Sequence, residues 1–188
     1  MLPLTCAGKI VAERLIQAVA DWIPTTHRGL GSGIKRRLYL LAGLRVEDPV
    51  FIDHGFRYIG PSNITIERFV SLGHDNYFWA FTPVRIGHHT MTAKDLLIIS
   101  ASHDVASFEP MPGQAVDIGP GCWIGARVTI LGGVKVGRGC VIGAGSLVRD
   151  SIPDFSIAAG VPAKVIRQRQ PADMIWSQFG RYPLAELM

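Results

Sequence analysis

Between Ile118 and Ile152 the chain repeats every six residues: Ile118-Gly-Pro-Gly-Cys-Trp, Ile124-Gly-Ala-Arg-Val-Thr, Ile130-Leu-Gly-Gly-Val-Lys, Val136-Gly-Arg-Gly-Cys-Val, Ile142-Gly-Ala-Gly-Ser-Leu, then Val148-Arg-Asp-Ser-Ile. The first place is Ile or Val in all six units, and the second is Gly in four. A helix has period 3.6 and an alternating strand period 2, so neither generates a strict six. A solenoid whose flat faces are six residues long does. In such a coil the branched residue points inward and a small residue in fifth place fills the corner. Glycine is expected where the backbone turns with positive φ. A Gly-rich loop would leave the branched residues unexplained.

The period extends upstream in degenerate form. Ile52, Tyr58 and Ile64 recur at six; Ile66, Leu72, Phe78 and Val84 form a second register, and Ile86, Thr92 and Ile98 a third. Each change of register is a small insertion, which a solenoid expels as a loop at a corner. The largest break, residues 104–117, is rich in Pro and Gly and opens directly after His103. Three segments follow: a helical lead-in over 1–48, the repeat domain over 49–168 and a tail over 169–188.

In the lead-in, residues 7–23 read as a helix with the stripe Val11, Leu15, Ala18 and Trp22, widened by Ile16, Val19 and Ile23. That stripe suits packing on the solenoid or on a neighbouring subunit. Contact with a membrane surface is the alternative, for which Lys9 and Arg14 supply few charges. Gly29-Leu-Gly-Ser-Gly33 reads as a hinge. A second helix from Ile34 to Gly43 should expose Lys35-Arg36-Arg37 and pack Leu38, Leu40 and Leu41. Beyond Ile152 the period fades, Ile157 to Arg167 close the coil, and Pro171 to Phe179 are expected to add a short helix.

The net charge of +4 suits anionic ligands and is too small to argue for nucleic acid. Cys6, Cys122 and Cys140 form neither a disulfide framework nor a metal knuckle. Cys122 and Cys140 are eighteen residues apart and should stack as small corner thiols on successive coils. That usage fits a reducing compartment, and the N-terminus lacks the pattern of a signal peptide, so a cytoplasmic location is expected.

Six histidines are candidates for chemistry. His27 and His54 are expected on the surface, and His88 and His89 in a solvent-facing turn. His74 and His103 sit beside register breaks. His103 is the better base, because Ser100-Ala-Ser-His-Asp104 precedes the large loop and imidazole takes a proton near neutral pH. The cluster His74-Asp75-Asn76, followed by Tyr77, Phe78, Trp79 and Phe81, sets polar groups beside aromatic faces. It is the candidate acceptor site, with an edge loop packed under the helices as the alternative.

Ser102-His103-Asp104, the loop after it, Ile118-Gly-x-Gly-Cys-Trp-Ile-Gly-Ala126 and Ala159-Gly-Val-Pro-Ala-Lys-Val-Ile-Arg167 together resemble the hexapeptide-repeat acetyltransferases. The nearest branch looks like the galactoside, maltose and polysaccharide O-acetyltransferases. The resemblance implies a mainly β fold, a left-handed parallel β-helix, assembled as a homotrimer with sites in the clefts between subunits. It implies acetyl-coenzyme A as co-substrate, no metal, and His103 as general base for direct attack of an acceptor hydroxyl on the thioester. Ala126 and Ala144 match coenzyme-contacting positions, and Trp123 matches a Trp flanking the site, with corner packing as its other role. Lys164 and Arg167 match basic residues that meet the coenzyme's phosphates. At Arg149-Asp150 the family's Thr-Lys pair is replaced, which shifts charge at that coenzyme contact. The sugar-contacting Asn and Asp of the galactoside and maltose enzymes fall on Leu72 or Gly73 and near Phe81, so neither of those sugars is implied.

The expected activity is therefore acetyl transfer to a hydroxyl of a sugar or polysaccharide precursor. An amino acid or a nucleotide-sugar amine as acceptor, and a scaffold with no activity, are the alternatives. Zinc hydration chemistry on the same solenoid needs three convergent His ligands, to be found among His74, His88, His89 and His103.

Overall fold

The computed structural model describes residues 6–24, 30–170, 174–177 and 180–183. His27 lies outside them. The repeat region coils into a three-sided prism of parallel strands. The first face stacks Arg45–Val46, Ile64–Ile66, Val84–Ile86, Val116–Ile118 and Lys135–Val136. The second stacks Phe51–Ile52, Ser71–Leu72, Met91–Thr92, Trp123–Ile124 and Val141–Ile142, and ends in the antiparallel hairpin Ser156–Gly160 with Ala163–Gln168. The third stacks Arg57–Ile59, Tyr77–Trp79, Leu97–Ile99, Thr129–Leu131 and Leu147–Val148.

Every predicted branched position lands in an inward column. On the first face Val46, Ile66, Ile86, Ile118 and Val136 are in register. On the second the column is Ile52, Leu72, Thr92, Ile124, Ile142 and Ala158. On the third it is Tyr58, Phe78, Ile98, Ile130 and Val148. All of them are buried, and a fully buried aliphatic side chain contributes about 1.5–3 kcal/mol. Ile52 pairs with Leu72 and Leu72 with Thr92, twenty residues at each step, whereas Ile124 pairs with Ile142, eighteen on. The two additional residues leave at the corner joining the third face to the first, where Pro61–Asn63 form a short 3-10 turn.

The corners use glycine in two ways. Left-handed φ falls on the fourth place of the first five units, at Gly121 (66°), Arg127 (56°), Gly133 (82°), Gly139 (64°) and Gly145 (70°). The second-place glycine is needed for a different reason. A Cβ on Gly125 would lie 2.6 Å from the backbone N of Ala144 on the next coil, closer than any side chain tolerates.

Asn76 fills a corner from inside. Its Nδ2 donates to the Gly73 carbonyl (3.1 Å) and Thr92 Oγ1 (2.7 Å), and its Oδ1 accepts from the Leu96 N–H (2.8 Å). Cys122 and Cys140 stack as buried free thiols, donating to the carbonyls of Gly137 and Pro153 at 3.0 Å each.

Helices α1 (Cys6–Trp22) and α2 (Leu30–Ala42) cover the first coil. The α1 stripe does not pack on the solenoid, the first of its two expected partners: Val11 is 58% exposed, Leu15 61% and Trp22 89%. The helix sits on the prism through Ala20, with Gln17 Nε2 donating to the Tyr58 carbonyl (3.1 Å) and Asp21 Oδ1 accepting from the Gly55 N–H (2.8 Å). Residues 30–33, read as a hinge, are already helical, and glycine at 31 lets the helix pass against the Pro24 carbonyl. In α2 Lys35 is buried and Leu41 exposed, the reverse of the expectation. The Lys35 ammonium donates to the Ile52 carbonyl (3.5 Å) and Arg36 Nε to the Val46 carbonyl (3.0 Å). Burial pulls the Lys35 pKa down, against the attraction of Asp53 and Asp21.

Among the described residues the expected C-terminal helix is replaced by a pair of strands. Met174–Ser177 and Gly180–Pro183 pair antiparallel. Within the span expected to be helical, Ile175 and Trp176 are strand formers.

His89 is buried (8% exposed), with its ring 4.6 Å from that of Phe69 and its Nδ1 3.0 Å from that of His88. Burial, then the charges of His88 and Arg68, push its pKa down to about 4. The folded protein therefore holds it neutral where the unfolded chain protonates it. The stability so conferred is complete above about pH 6.5 and is lost as pH falls towards 4, on the order of 2–3 kcal/mol. His89→Gln should flatten the decline of unfolding free energy across that window; an unchanged decline would assign it to other groups. Asn76→Ala should lower urea stability by about 1–3 kcal/mol for each buried partner left without a hydrogen bond, and an unchanged midpoint would refute the interior role.

Candidate active site

The three corners of the prism are chemically distinct. At the first, between the first and second faces, the third-place N–H of three of the turns is taken by an acid side chain. Arg68 donates to Glu47 Oε2 (3.0 Å), His88 to Glu67 Oε2 (2.9 Å) and Arg138 to Asp154 Oδ1 (3.0 Å). At the second corner, between the second and third faces, Ala126 and Ala144 occupy the equivalent place on successive coils, and the Gly145 N–H donates to the Ala126 carbonyl (2.8 Å). Among the described residues neither the Ala126 nor the Ala144 N–H has an acceptor. Lys164, paired with Ala159, continues this edge at the closing hairpin.

Trp123 stands on the outer side of the second face, in register with Val141, which pairs with Ile157, opposite Arg167. Trp123, Lys164 and Arg167 are all exposed. Asp150 sits between two of the expected cations, 3.3 Å from Arg149 Nε and 3.6 Å from Lys164 Nζ. These are surface pairs, each worth at most about 1 kcal/mol, so an incoming phosphate can compete for both cations.

At the third corner the coil opens. Ser100 locks the departure point: its N–H donates to the Trp79 carbonyl (2.9 Å), and its hydroxyl accepts from the Thr82 N–H (3.0 Å). Thr82 Oγ1 donates in turn to the Ser100 carbonyl (2.7 Å). The excursion is a small antiparallel hairpin in which His103 faces Pro110, and the Asp104 N–H donates to Glu109 and that of Met111 to Ser102 (2.9 Å each). Asp104 Oδ1 gathers the N–H groups of Ala106 (2.9 Å) and Ser107 (2.8 Å). Those hydrogen bonds hold its carboxyl below the usual range.

His103 is exposed, and its Nδ1 lies 2.8 Å from the Phe108 carbonyl oxygen. A carbonyl only accepts, so Nδ1 carries the proton and Nε2 presents a lone pair to solvent. The orienting group is thus a backbone oxygen, which sequence reasoning did not reach. Phe108 can supply it because its own φ is 58°. The Asp104-x-x-Ser107 turn was the available signal.

The expected acceptor cluster is divided. Trp79 pairs with Ile99, directly beneath the loop's departure, and its ring is 5.8 Å from that of Phe81. His74 and Asp75 lie at the second corner, and Asn76 is interior. The histidines do not converge as a three-His zinc site requires. His88 and His89 are at the first corner, His74 at the second and His103 at the third.

A solenoid of this build, with an imidazole on an extruded loop and two unpaired N–H groups on successive coils of one corner, fits a repeat-built transferase. The family model described as bacterial transferase hexapeptide (six repeats) matches residues 115–150. A putative acetyltransferase of Schizosaccharomyces pombe (strain 972) is 31% identical over 177 residues, spanning 87% of this chain and 81% of that protein. Galactoside O-acetyltransferase of Escherichia coli (strain K12) is 33% identical over 139 residues, spanning 68% and 62%. A hexapeptide-repeat containing acetyltransferase from Vibrio cholerae O1 biovar eltor, solved in complex with acetyl coenzyme A, shares the fold with a TM-score of 0.74 at 18% identity, covering 87% of this chain and 88% of that one. The chain belongs to the hexapeptide-repeat acetyltransferase family. It spans 36% to 62% of the length of several curated relatives that it matches.

In uniformly 15N-labelled protein at alkaline pH, His103 should show a protonated Nδ1 and an unprotonated Nε2. Asp104→Ala should blur that preference by loosening the turn that aims the Phe108 carbonyl. An Nε2–H tautomer in the parent protein would overturn the assignment.

Proposed function

We propose that the protein is an acetyl-coenzyme A-dependent O-acetyltransferase acting on a hydroxyl of a sugar or polysaccharide precursor. The observation that carries this reading is the 2.8 Å contact of His103 Nδ1 with the Phe108 carbonyl, which assigns the proton to Nδ1 and leaves Nε2 at an exposed loop to act as base. Acetyl-coenzyme A, when bound, supplies the activated acyl group. The residues present fit it. The Ala126 and Ala144 N–H groups lie unpaired along one edge, the small side chains leave a slender arm room, and Lys164, Arg167 and Arg149 offer cations near the closing end.

His103 Nε2 takes the proton of the acceptor hydroxyl as the oxygen becomes nucleophilic, and the Phe108 carbonyl steadies the imidazolium so formed. Trp79 and Phe81, one coil before the loop, give the acceptor a flat apolar face. His103 and the Ala126 edge belong to different corners of one prism. A homotrimer, in which the loop of one copy meets the second corner of the next, would bring them together. The exposed Val105 and Phe108 on that loop support such a contact.

His103→Ala should lower acetyl transfer by about 10²–10⁴ while coenzyme affinity by calorimetry and mass by light scattering stay unchanged. The acceptor is sought by thioester release against sugars, polysaccharide precursors and amino acids. Undiminished turnover in the variant would sink the mechanism, and release with amino acids alone would move the acceptor class.

A further inference from the structure

The second corner carries a cluster that the transferase reading leaves unused. His54 and His74 are twenty residues apart, one coil length in this part of the prism, so they stack. Their Nδ1 atoms are 3.0 Å apart. His54 Nδ1 is 3.2 Å from Asp53 Oδ1, and His74 Nδ1 is 3.2 Å from Asp53 Oδ2. Protons alone cannot satisfy this triangle. If both Nδ1 atoms carry hydrogens, each serves the carboxylate but the two N–H groups oppose each other. If one does, the other nitrogen turns its lone pair on a carboxylate oxygen. If neither does, all three contacts are repulsive.

A cation at the centre makes every contact favourable, and the separations suit one. Ligand atoms about 2.0–2.2 Å from a shared ion, at angles of roughly 90–110°, lie about 2.9–3.5 Å apart. We infer that Asp53, His54 and His74 form a binding site for a first-row divalent cation of the zinc, cobalt or nickel kind, which imidazole and carboxylate ligands favour.

The surroundings fit that assignment. Asp53 has only 17% of its side chain exposed, and the His54 N–H donates to its Oδ1 (2.8 Å), so the carboxylate is held in place. The two rings are about half exposed and open to entering ions. His54 also lines a cleft of about 510 Å³ with Asp21, Trp22, Ile23, Gly55 and Asp75, which leaves room for water on the ion's remaining positions. The ligands come from two successive coils at the end of the prism, where Phe51–Ile52 and Arg57–Ile59 are edge strands. An ion here clamps the first coil to the second. This inference does not rest on the transferase reading.

The test uses tag-free full-length protein, stripped with chelator, dialysed and titrated with Co²⁺, followed by calorimetry and visible absorption. One Co²⁺ per chain is expected, together with a rise in thermal midpoint. His54→Ala, His74→Ala and Asp53→Asn should each weaken binding by about tenfold or more and abolish the midpoint rise. His88→Ala and His103→Ala should bind as the parent does, which separates this site from the other histidines and from the catalytic loop. Circular dichroism of the metal-free variants checks that they fold. No saturable Co²⁺ binding by the parent, or unchanged binding in a His54→Ala/His74→Ala double variant, overturns the proposal.

Discussion

The columns of apolar side chains inside the prism set the pitch of the coil, and the pitch decides where every polar group outside it falls. A strand here has two or three residues in register with its neighbours, so a slip of one residue would turn a buried Ile outward on that face and expel it from the column. Extra residues can therefore be accommodated only between strands. The third corner takes them throughout, two per coil in the early turns and the whole excursion between Leu97–Ile99 and Val116–Ile118 in the middle. The corner that tolerates insertion is also the one that carries His103.

The same frame explains why the corners divide the labour. At the first corner, carboxylates from Glu47, Glu67 and Asp154 consume the outward N–H groups. At the second, alanine in the equivalent place leaves the N–H of residues 126 and 144 available, and cations gather where the coil closes. Unpaired backbone donors along one edge and an imidazole on another would suit the proposed two-substrate reaction, in which a different part of the frame would hold each substrate.

Much of this was legible in the sequence, because a six-residue period has one structural cause. The branched residues, the register changes, the extruded loop and the stacked thiols all follow from it. What was not legible depends on contacts the period does not encode. The outward stripe of α1 and the buried Lys35 of α2 depend on how the helices dock on the first coil, and amphipathicity alone does not choose which face docks. Asn76 reads as polar and surface-seeking, yet a corner with a carbonyl, a hydroxyl and an N–H to satisfy has use for an amide inside. The closing strands at Met174–Ser177 and Gly180–Pro183 depend on pairing with each other, which a short apolar span does not reveal. The approach of His54 to His74 was present as a spacing of twenty, but it becomes readable only once the early coils are known to be that length.

The choice of orienting group for His103 has a chemical consequence. Asp104 is adjacent and ionised, and a carboxylate on Nδ1 would raise the imidazole's basicity as well as aim it. The structure commits that carboxylate to the N–H groups of Ala106 and Ser107 and to the Ser107 hydroxyl instead. Its charge therefore acts on the base indirectly, by shaping the turn that presents the Phe108 carbonyl. A neutral carbonyl fixes which ring nitrogen carries the proton and does so without placing a charge beside it. In the proposed reaction, Asp104 would thus position the loop and the Phe108 carbonyl would leave Nε2 as the nitrogen that meets the acceptor hydroxyl.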